Sequence, residues 1–190
     1  MEAQLRHSGI LPSDVTWINH PNKDDILPQN ICTNPGLTAG QVAITYKHYL
    51  ALVDIVDKKL PVAVIMEDNI EFLSNIPEKL SRYISELPED WDCLFDSDFF
   101  GWRYIEAPVY LNKFVYKKSN YVTDQCGGAS KGAHFIMVSA KGAKLILESF
   151  LPFSECSDHF YNFLAKKLEL SCFWAEPPNI HKIQRKSTWL

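Results

Sequence analysis

Residues 62–72 constrain the fold of this chain more than any other stretch. Val62 to Met66 is a continuous apolar run rich in β-branched residues, and Glu67, Asp68 and Asn69 follow it directly. Such a run is typical of a strand buried on both faces of a sheet. Because open α/β sheets bind ligands beyond the carboxyl ends of their strands, these polar residues are expected to form a site. The competing interpretation is a solvated acidic turn.

The three polar residues carry the kind of ligand atoms that hard cations prefer. Glu67 and Asp68 supply carboxylate oxygens, and Asn69 supplies an amide oxygen. Mg²⁺ and Mn²⁺ favour such oxygens and are commonly held by one or two carboxylates together with phosphates of the substrate. The pattern therefore predicts a metal and phosphate site at the end of this strand.

Apolar runs alternate with helical patterns along the rest of the chain, which predicts an α/β fold with a mainly parallel central sheet flanked by helices. Thr38 and Gln41 form a capping-box pattern before a helix whose inward face is predicted to contain Val42, Tyr46, Tyr49, Leu50, Val53 and Val56. The other helices are predicted at 1–7, 77–87, 141–150 and 157–168, and the strands at 15–18, 62–66, 91–95, 134–138 and 173–174. Residues 1–190 are expected to form a single domain, either alone or within a longer protein.

Composition excludes several classes of protein. The net charge of −4 argues against a general nucleic-acid binder, and no apolar stretch reaches membrane-spanning length. The five cysteines show no CxxC pair or zinc spacing, which is typical of reduced thiols in a cytoplasmic protein. The chain also lacks the GxGxxG, GxxxxGK[ST] and GxSxG motifs of other enzyme classes.

Further candidate residues each have a functional and a structural interpretation. The predicted 91–95 strand is followed by Asp96, Ser97 and Asp98. These residues form either a second metal anchor or a turn whose side chains cap backbone amides. Asp158 is either an acid favoured in the first turn of a helix or a carboxylate that accepts a proton from a sugar hydroxyl. Two functional roles are open to His181, as a third metal ligand or as a phosphate contact; the structural interpretation gives it neither role.

The basic residues near the end of the chain also allow two interpretations. Lys182, Arg185 and Lys186 would clamp phosphate if this segment folds back onto the domain. Alternatively, they form a solvated basic tail.

Four stretches together resemble the metal-dependent nucleotide-sugar transferases of the GT-A fold, and within them glycosyltransferase family 25. The chain is also similar to glycosyltransferase domains encoded by large chlorella viruses. The matching stretches are Leu37-Thr38-Ala39-Gly40-Gln41-Val42 running to His48, Met66-Glu67-Asp68-Asn69-Ile70, residues 132–144 with Gly142-Ala143-Lys144, and Ser157-Asp158 before an aromatic helix. They span roughly residues 37–160. The family motif ends in Asp where this chain has Asn69.

The resemblance implies a GT-A-like domain that transfers a sugar, such as a hexose or rhamnose, from a UDP-sugar to a glycan hydroxyl. It implies Mn²⁺ or Mg²⁺ held by Glu67, Asp68 and Asn69, with Asp158 on the acceptor side. Nucleotide contacts are expected from Asn19, His48, Asp68, Lys182 and Arg185, with His181 as a further metal ligand. The expected location is the cytoplasm, or the host cytoplasm for a viral protein.

Two other functions compete with this interpretation. A metal-dependent phosphoesterase or nucleotidyltransferase would use the same acids with a second metal about 4 Å away, for which Asp96 and Asp98 are the candidate ligands. A glycan-binding module without turnover is favoured by Asn69 at the motif position where the family has an acid.

Overall fold

The computed structural model describes residues 2–73, 75–96, 108–118 and 132–182, with residues 181 and 182 described by their backbone alone. Its helices are α1 (Glu2–His7), α2 (Ala39–Asp57), α3 (Ile76–Glu86), α4 (Ala140–Phe150) and α5 (Ser157–Lys167). Its strands are β1 (Val62–Met66), β2 (Ile70–Phe72), β3 (Cys93–Phe95), β4 (Val115–Lys117), β5 (Phe135–Ser139), β6 (Cys172–Ala175) and β7 (Ile180–Lys182). Within these residues, no helix is long and apolar enough to cross a membrane.

The central sheet has five strands in the order β1-β5-β3-β6-β4, and it is mixed. Only β3 and β6 pair in parallel; β5 is antiparallel to both β1 and β3, and β4 is antiparallel to β6. The α/β class is therefore confirmed, whereas the expectation of a mainly parallel sheet is wrong.

The connections explain why the sheet is mixed. Neighbouring parallel strands require a long crossover connection, usually a helix. No helix lies between β3 and β5 in the described residues, and two helices rather than one lie between β5 and β6. Sequence periodicity detects these elements but not how they reverse the direction of the chain.

The capping box predicted for α2 is confirmed. The Thr38 hydroxyl accepts the N–H of Gln41, and the Gln41 side chain accepts the N–H of Thr38. Four residues of the predicted inward face, Val42, Tyr46, Tyr49 and Val56, are partly buried and pack against the core. The most deeply buried residues of α2 are Ala43, Thr45, His48, Leu52 and Ile55. A hydrophobicity pattern missed Thr45 and His48 because they are polar.

The predicted strand at 15–18 does not form, because these residues have no strand partner among the described residues. They follow a 3₁₀ turn at Pro12–Asp14, and Val15 is extended, with φ −114° and ψ 124°. The predicted strand at 62–66 is confirmed as β1, but it is not buried on both faces. It is the outer strand of the described sheet, and only Ile65 in it is fully buried.

The core lies on both faces of the sheet. One face packs against α2, α4 and α5 around Phe95, Ile136 and Trp174. The other face packs against α3 around Tyr83, Leu94 and Met137. Both sides of β3 are buried, as expected for a central strand covered by helices.

A second sheet of two strands lies beside the first. β2 pairs with β7 in an antiparallel register that places Ile70 opposite Lys182 and Glu71 opposite His181. The sequence pattern did not predict either strand, since each spans only three residues. The pairing brings a segment near the end of the chain next to residues 67–69.

Candidate functional site

The ends of β1 and β3 lie at the same edge of the sheet, as the sequence predicts. The N–H of Glu67 donates to the carbonyl of His134 (2.9 Å), and the N–H of Asp96 donates to the carbonyl of Phe135 (3.1 Å). The start of β5 therefore separates the two acidic groups. Glu176 follows β6, which runs parallel to β3, so it belongs to the same edge.

Glu67 lies between two buried histidines. Its Oε1 is 3.7 Å from Nε2 of His48, and its Oε2 is 3.6 Å from Nε2 of His134. The Glu67 side chain is 12% exposed, and the histidine side chains are 4% and 1% exposed. Two imidazoles are therefore placed to hold the orientation of this carboxylate.

Helix α5 supports this arrangement through α2. The hydroxyl of Tyr161 lies 3.4 Å from Nδ1 of His48, and the two rings pack edge to face. Tyr161 is therefore a hydrogen-bond partner of His48 at Nδ1, while the other ring nitrogen, Nε2, faces Glu67. The N–H of Ser157 also donates to the Thr45 hydroxyl (3.0 Å).

Residues 67–69, hereafter the acidic turn, present their side chains differently. Asp68 is exposed, whereas Glu67 and Asn69 are partly buried. The Oδ1 atom of Asn69 is buried without a hydrogen-bond partner among the described residues. Buried polar atoms are normally satisfied, so this oxygen is a candidate ligand atom. Asp68 is the carboxylate of the turn that faces solvent.

The acidic turn borders a cavity of about 850 Å³. Its walls include the whole of β1, residues 15–19, and parts of α2 and α3. The predicted site residues Asn19, His48, Glu67 and Asp68 all line it, and so does Lys47. Cavities that bind small ligands and cofactors commonly have a volume of ~300–1,000 Å³. The structure therefore brings four of the predicted residues to one cavity of suitable size.

Asp96 is held in the interior of the protein. Its Oδ2 accepts the Tyr83 hydroxyl (3.1 Å), and its Oδ1 accepts the N–H of Asn179 (2.7 Å). Burial raises the pKa of Asp96 to about 6, although the two hydrogen bonds oppose the shift. Both oxygens are engaged, so Asp96 fixes the chain after β6 rather than facing a ligand. Ser97 and Asp98 lie outside the described residues.

Asp158 occupies the first turn of α5, and its Oδ1 accepts the N–H of Ala133 (3.3 Å). The Asn162 side chain donates to the backbone carbonyl of Asp158 (3.0 Å) and accepts from the buried ammonium of Lys118 (2.6 Å). Burial lowers the pKa of Lys118 to about 8. Asp158 is therefore next to the segment that carries His134, but it does not line the cavity.

The remaining predicted residues lie near the end of the chain. His181 and Lys182 belong to β7, where Lys182 pairs with Ile70, the residue after Asn69. Their backbone is thus adjacent to the acidic turn. Arg185 lies outside the described residues.

Sequence reasoning missed His134, Tyr161 and Lys47 as members of this site. His134 was read only as the first residue of a strand, and Tyr161 as one aromatic residue in a helix. The signal for both was a polar group at a position predicted to be buried, where a hydrogen-bond or charge partner is required.

Among the described residues, no group of three or more His, Cys, Asp and Glu side chains is arranged to hold a metal ion. A metal here would therefore need further ligands, such as phosphate oxygens. Comparison with protein-family models and with curated proteins finds no match for this chain.

Proposed function

We propose that this protein is a metal-dependent glycosyltransferase that moves a sugar from a UDP-sugar to a hydroxyl group of a glycan. The observation that carries the proposal is the position of Asp68, an exposed carboxylate after β1 that lines a cavity together with Asn19, Lys47 and His48. The resemblance of the acidic turn and the 132–144 stretch to family 25 transferases gives the proposal its substrate class.

The residues of the acidic turn suit Mn²⁺ or Mg²⁺ in their chemistry. Asp68 and Asn69 offer a carboxylate oxygen and a buried amide oxygen without a hydrogen-bond partner in the described parts of the chain. A divalent cation bound there would stabilise the negative charge that develops on the departing UDP. Glu67 would then serve to position the turn through His48 and His134, which face its two oxygens.

The other predicted residues have separate roles in this proposal. Lys47 and Asn19, on the cavity wall, would contact the phosphates and the ribose. Lys182 and Arg185 would add positive charge on the diphosphate. Asp158 would orient or deprotonate the acceptor hydroxyl in an inverting reaction, or stabilise the developing cationic sugar in a retaining one.

The position of Asp96 argues against the two-metal phosphoesterase or nucleotidyltransferase. That reaction needs a second cation about 4 Å from the first, and its candidate ligands were Asp96 and Asp98, of which only Asp96 lies within the described residues. Both Asp96 oxygens accept hydrogen bonds from Tyr83 and Asn179. Freeing one of them would leave a buried donor without a partner, which costs about 1–3 kcal/mol.

Calorimetric titration with UDP, with and without Mn²⁺, tests the binding step. We expect Mn²⁺ to raise the affinity for UDP, and we expect UDP-sugars with Mn²⁺ to yield free UDP and intact monosaccharide. Release of phosphate or UMP as the main product would favour the phosphoesterase. Equal UDP affinity with and without Mn²⁺, and no product, would favour a glycan-binding module.

A further inference from the structure

The cavity beside β1 has two parts with different chemistry. The acidic turn, Lys47 and His48 lie at the carboxyl end of β1 and were assigned above. The remaining part, hereafter the slot, is lined by Val62–Met66 and by residues 15–19. Of the residues that line this part, the nucleotide proposal uses Asn19 alone.

The backbone of β1 presents regularly spaced hydrogen-bonding groups to the slot. The carbonyl of Pro61 accepts the N–H of Ala140, and the N–H of Glu67 donates to His134, so both groups point toward β5. Along an antiparallel strand these directions alternate from residue to residue. The N–H and C=O groups of Val62, Val64 and Met66 therefore point away from β5, into the slot. No strand pairs with this side of β1 in the part of the chain that the structure describes.

The slot is covered on both faces by apolar side chains of two helices. Ile44, Ala51 and Ile55 line it from α2, and Ile76, Leu80 and Ile84 line it from α3. A segment that entered the slot would therefore be buried on both faces, as β3 is at the centre of the sheet. This favours apolar side chains pointing both ways.

The size of the cavity matches one strand. A strand rises about 3.3 Å per residue, lies about 4.8 Å from its neighbour and has about 10 Å between the layers that cover it. Five residues in these dimensions occupy roughly 800 Å³. The whole cavity measures about 850 Å³, so a strand along β1 would compete for space with a nucleotide at the acidic turn. Residues 15–19 also line the cavity, so a strand bound along β1 would contact them.

We propose that the slot binds an extended segment of another polypeptide, which pairs with β1 as an additional strand. Among the acids that line the cavity, Asp54 already pairs with Lys58 (2.8 Å), and Glu67 and Asp68 belong to the acidic turn assigned above. The matching segment is therefore specified by its apolar side chains over about five residues. The free edge of β1 supplies affinity through the main chain, as in other cases of β-strand addition. This proposal does not depend on the glycosyltransferase assignment.

The test uses the full chain and a synthetic seven-residue peptide, acetyl-Lys-Val-Thr-Val-Ile-Val-Lys-amide. We expect the peptide to slow hydrogen exchange at the amides of Val62, Val64 and Met66. A version N-methylated at alternate residues keeps the side chains but blocks the backbone hydrogen bonds. It is expected to bind at least tenfold more weakly.

A pair of variants at one position provides the matched control. Val64→Pro removes an N–H that points into the slot, and proline is tolerated in a strand when its missing donor faces away from the ladder. Val64→Thr keeps the N–H and a similar shape. We expect Val64→Pro to weaken peptide binding about tenfold or more, and Val64→Thr to weaken it far less.

Other occupants of the slot give different results, and each would overturn the proposal. Protection of the same three amides in the monomer without peptide would mean that another segment of the same chain pairs with β1. Protection that appears with a concentration-dependent dimer in sedimentation would identify a second copy of the chain. No protection by the peptide, or equal binding of its N-methylated form, would show that β1 accepts no strand. UDP titration of the same sample reports separately on the glycosyltransferase proposal.

Discussion

The hydroxyl of Tyr83 donates a hydrogen bond of 3.1 Å to Oδ2 of Asp96, a carboxyl group that is 1% exposed. Asp96 thus joins the end of β3 to α3, and through the N–H of Asn179 it also joins the segment between β6 and β7. Burial is the largest influence on its pKa and raises it to about 6. Burial also raises the pKa of Tyr83.

The raised pKa of Asp96 predicts a dependence of stability on pH. Its unfolded value is 3.8, so between about pH 4 and pH 6 the folded state holds a proton that the unfolded state has released. The free energy of unfolding should therefore fall by roughly 3 kcal/mol through this window as pH rises. Urea unfolding at several pH values measures it. Asp96→Asn should flatten the dependence, whereas Asp90→Asn on the surface should not; equal slopes in all three proteins would contradict the prediction.

Asp68→Ala should abolish Mn²⁺-dependent release of UDP from UDP-sugars. We expect a loss of at least about a hundredfold, because the variant removes the exposed carboxylate proposed to hold the cation. The free energy of unfolding should change by less than ~0.5 kcal/mol, since Asp68 is exposed. Asp57→Ala, at another exposed acid, serves as the control. Activity of Asp68→Ala at the level of the unchanged protein would exclude the assigned metal site.

Gly142→Ala should destabilise the fold by about 1–3 kcal/mol. A β-carbon at Gly142 would overlap the backbone carbonyl of Asp92, which is fixed by the N–H of Ser139. Gly36→Ala is a suitable comparison, because its β-carbon would meet a single side-chain atom, Oδ1 of Asn34, and no backbone atom. Thermal unfolding of both variants measures the difference. A melting temperature for Gly142→Ala equal to that of Gly36→Ala would contradict the close approach of α4 to Asp92.

Thr38→Ala should lower the free energy of unfolding by about 1 kcal/mol. The variant removes the hydroxyl that accepts the N–H of Gln41 at the start of α2. Thr38→Ser keeps an oxygen at the same place and should lose much less. If chemical denaturation gives equal losses for both variants, the capping box does not contribute to stability as inferred.

The sequence was most informative where one local pattern determines one local structure. The helix that starts at the Thr38 capping box and the strand at 62–66 required only neighbouring residues. The shared position of Glu67 and Asp96 at one edge of the sheet was also predictable, because β1 and β3 do run in the same direction.

The features that depend on distant residues were not predictable. The direction of β5 follows from its connections, and the pairing of β2 with β7 joins residues more than a hundred positions apart. The contact of Glu67 with His48 and His134 needs three separate elements to assemble. Alternative roles for Asp96 could be separated only once its partners, Tyr83 and Asn179, were known.

The pairing of β2 with β7 makes the acidic turn depend on the last described part of the chain. The turn is bounded by β1 on one side and by β2 on the other, and within the described residues the strand partner of β2 is β7. During synthesis the five strands of the larger sheet are complete before residue 180 emerges. A chain that stopped at Pro178 would thus retain that sheet but lack the partner that anchors Ile70, so the arrangement of the acidic turn would be lost before the helical content.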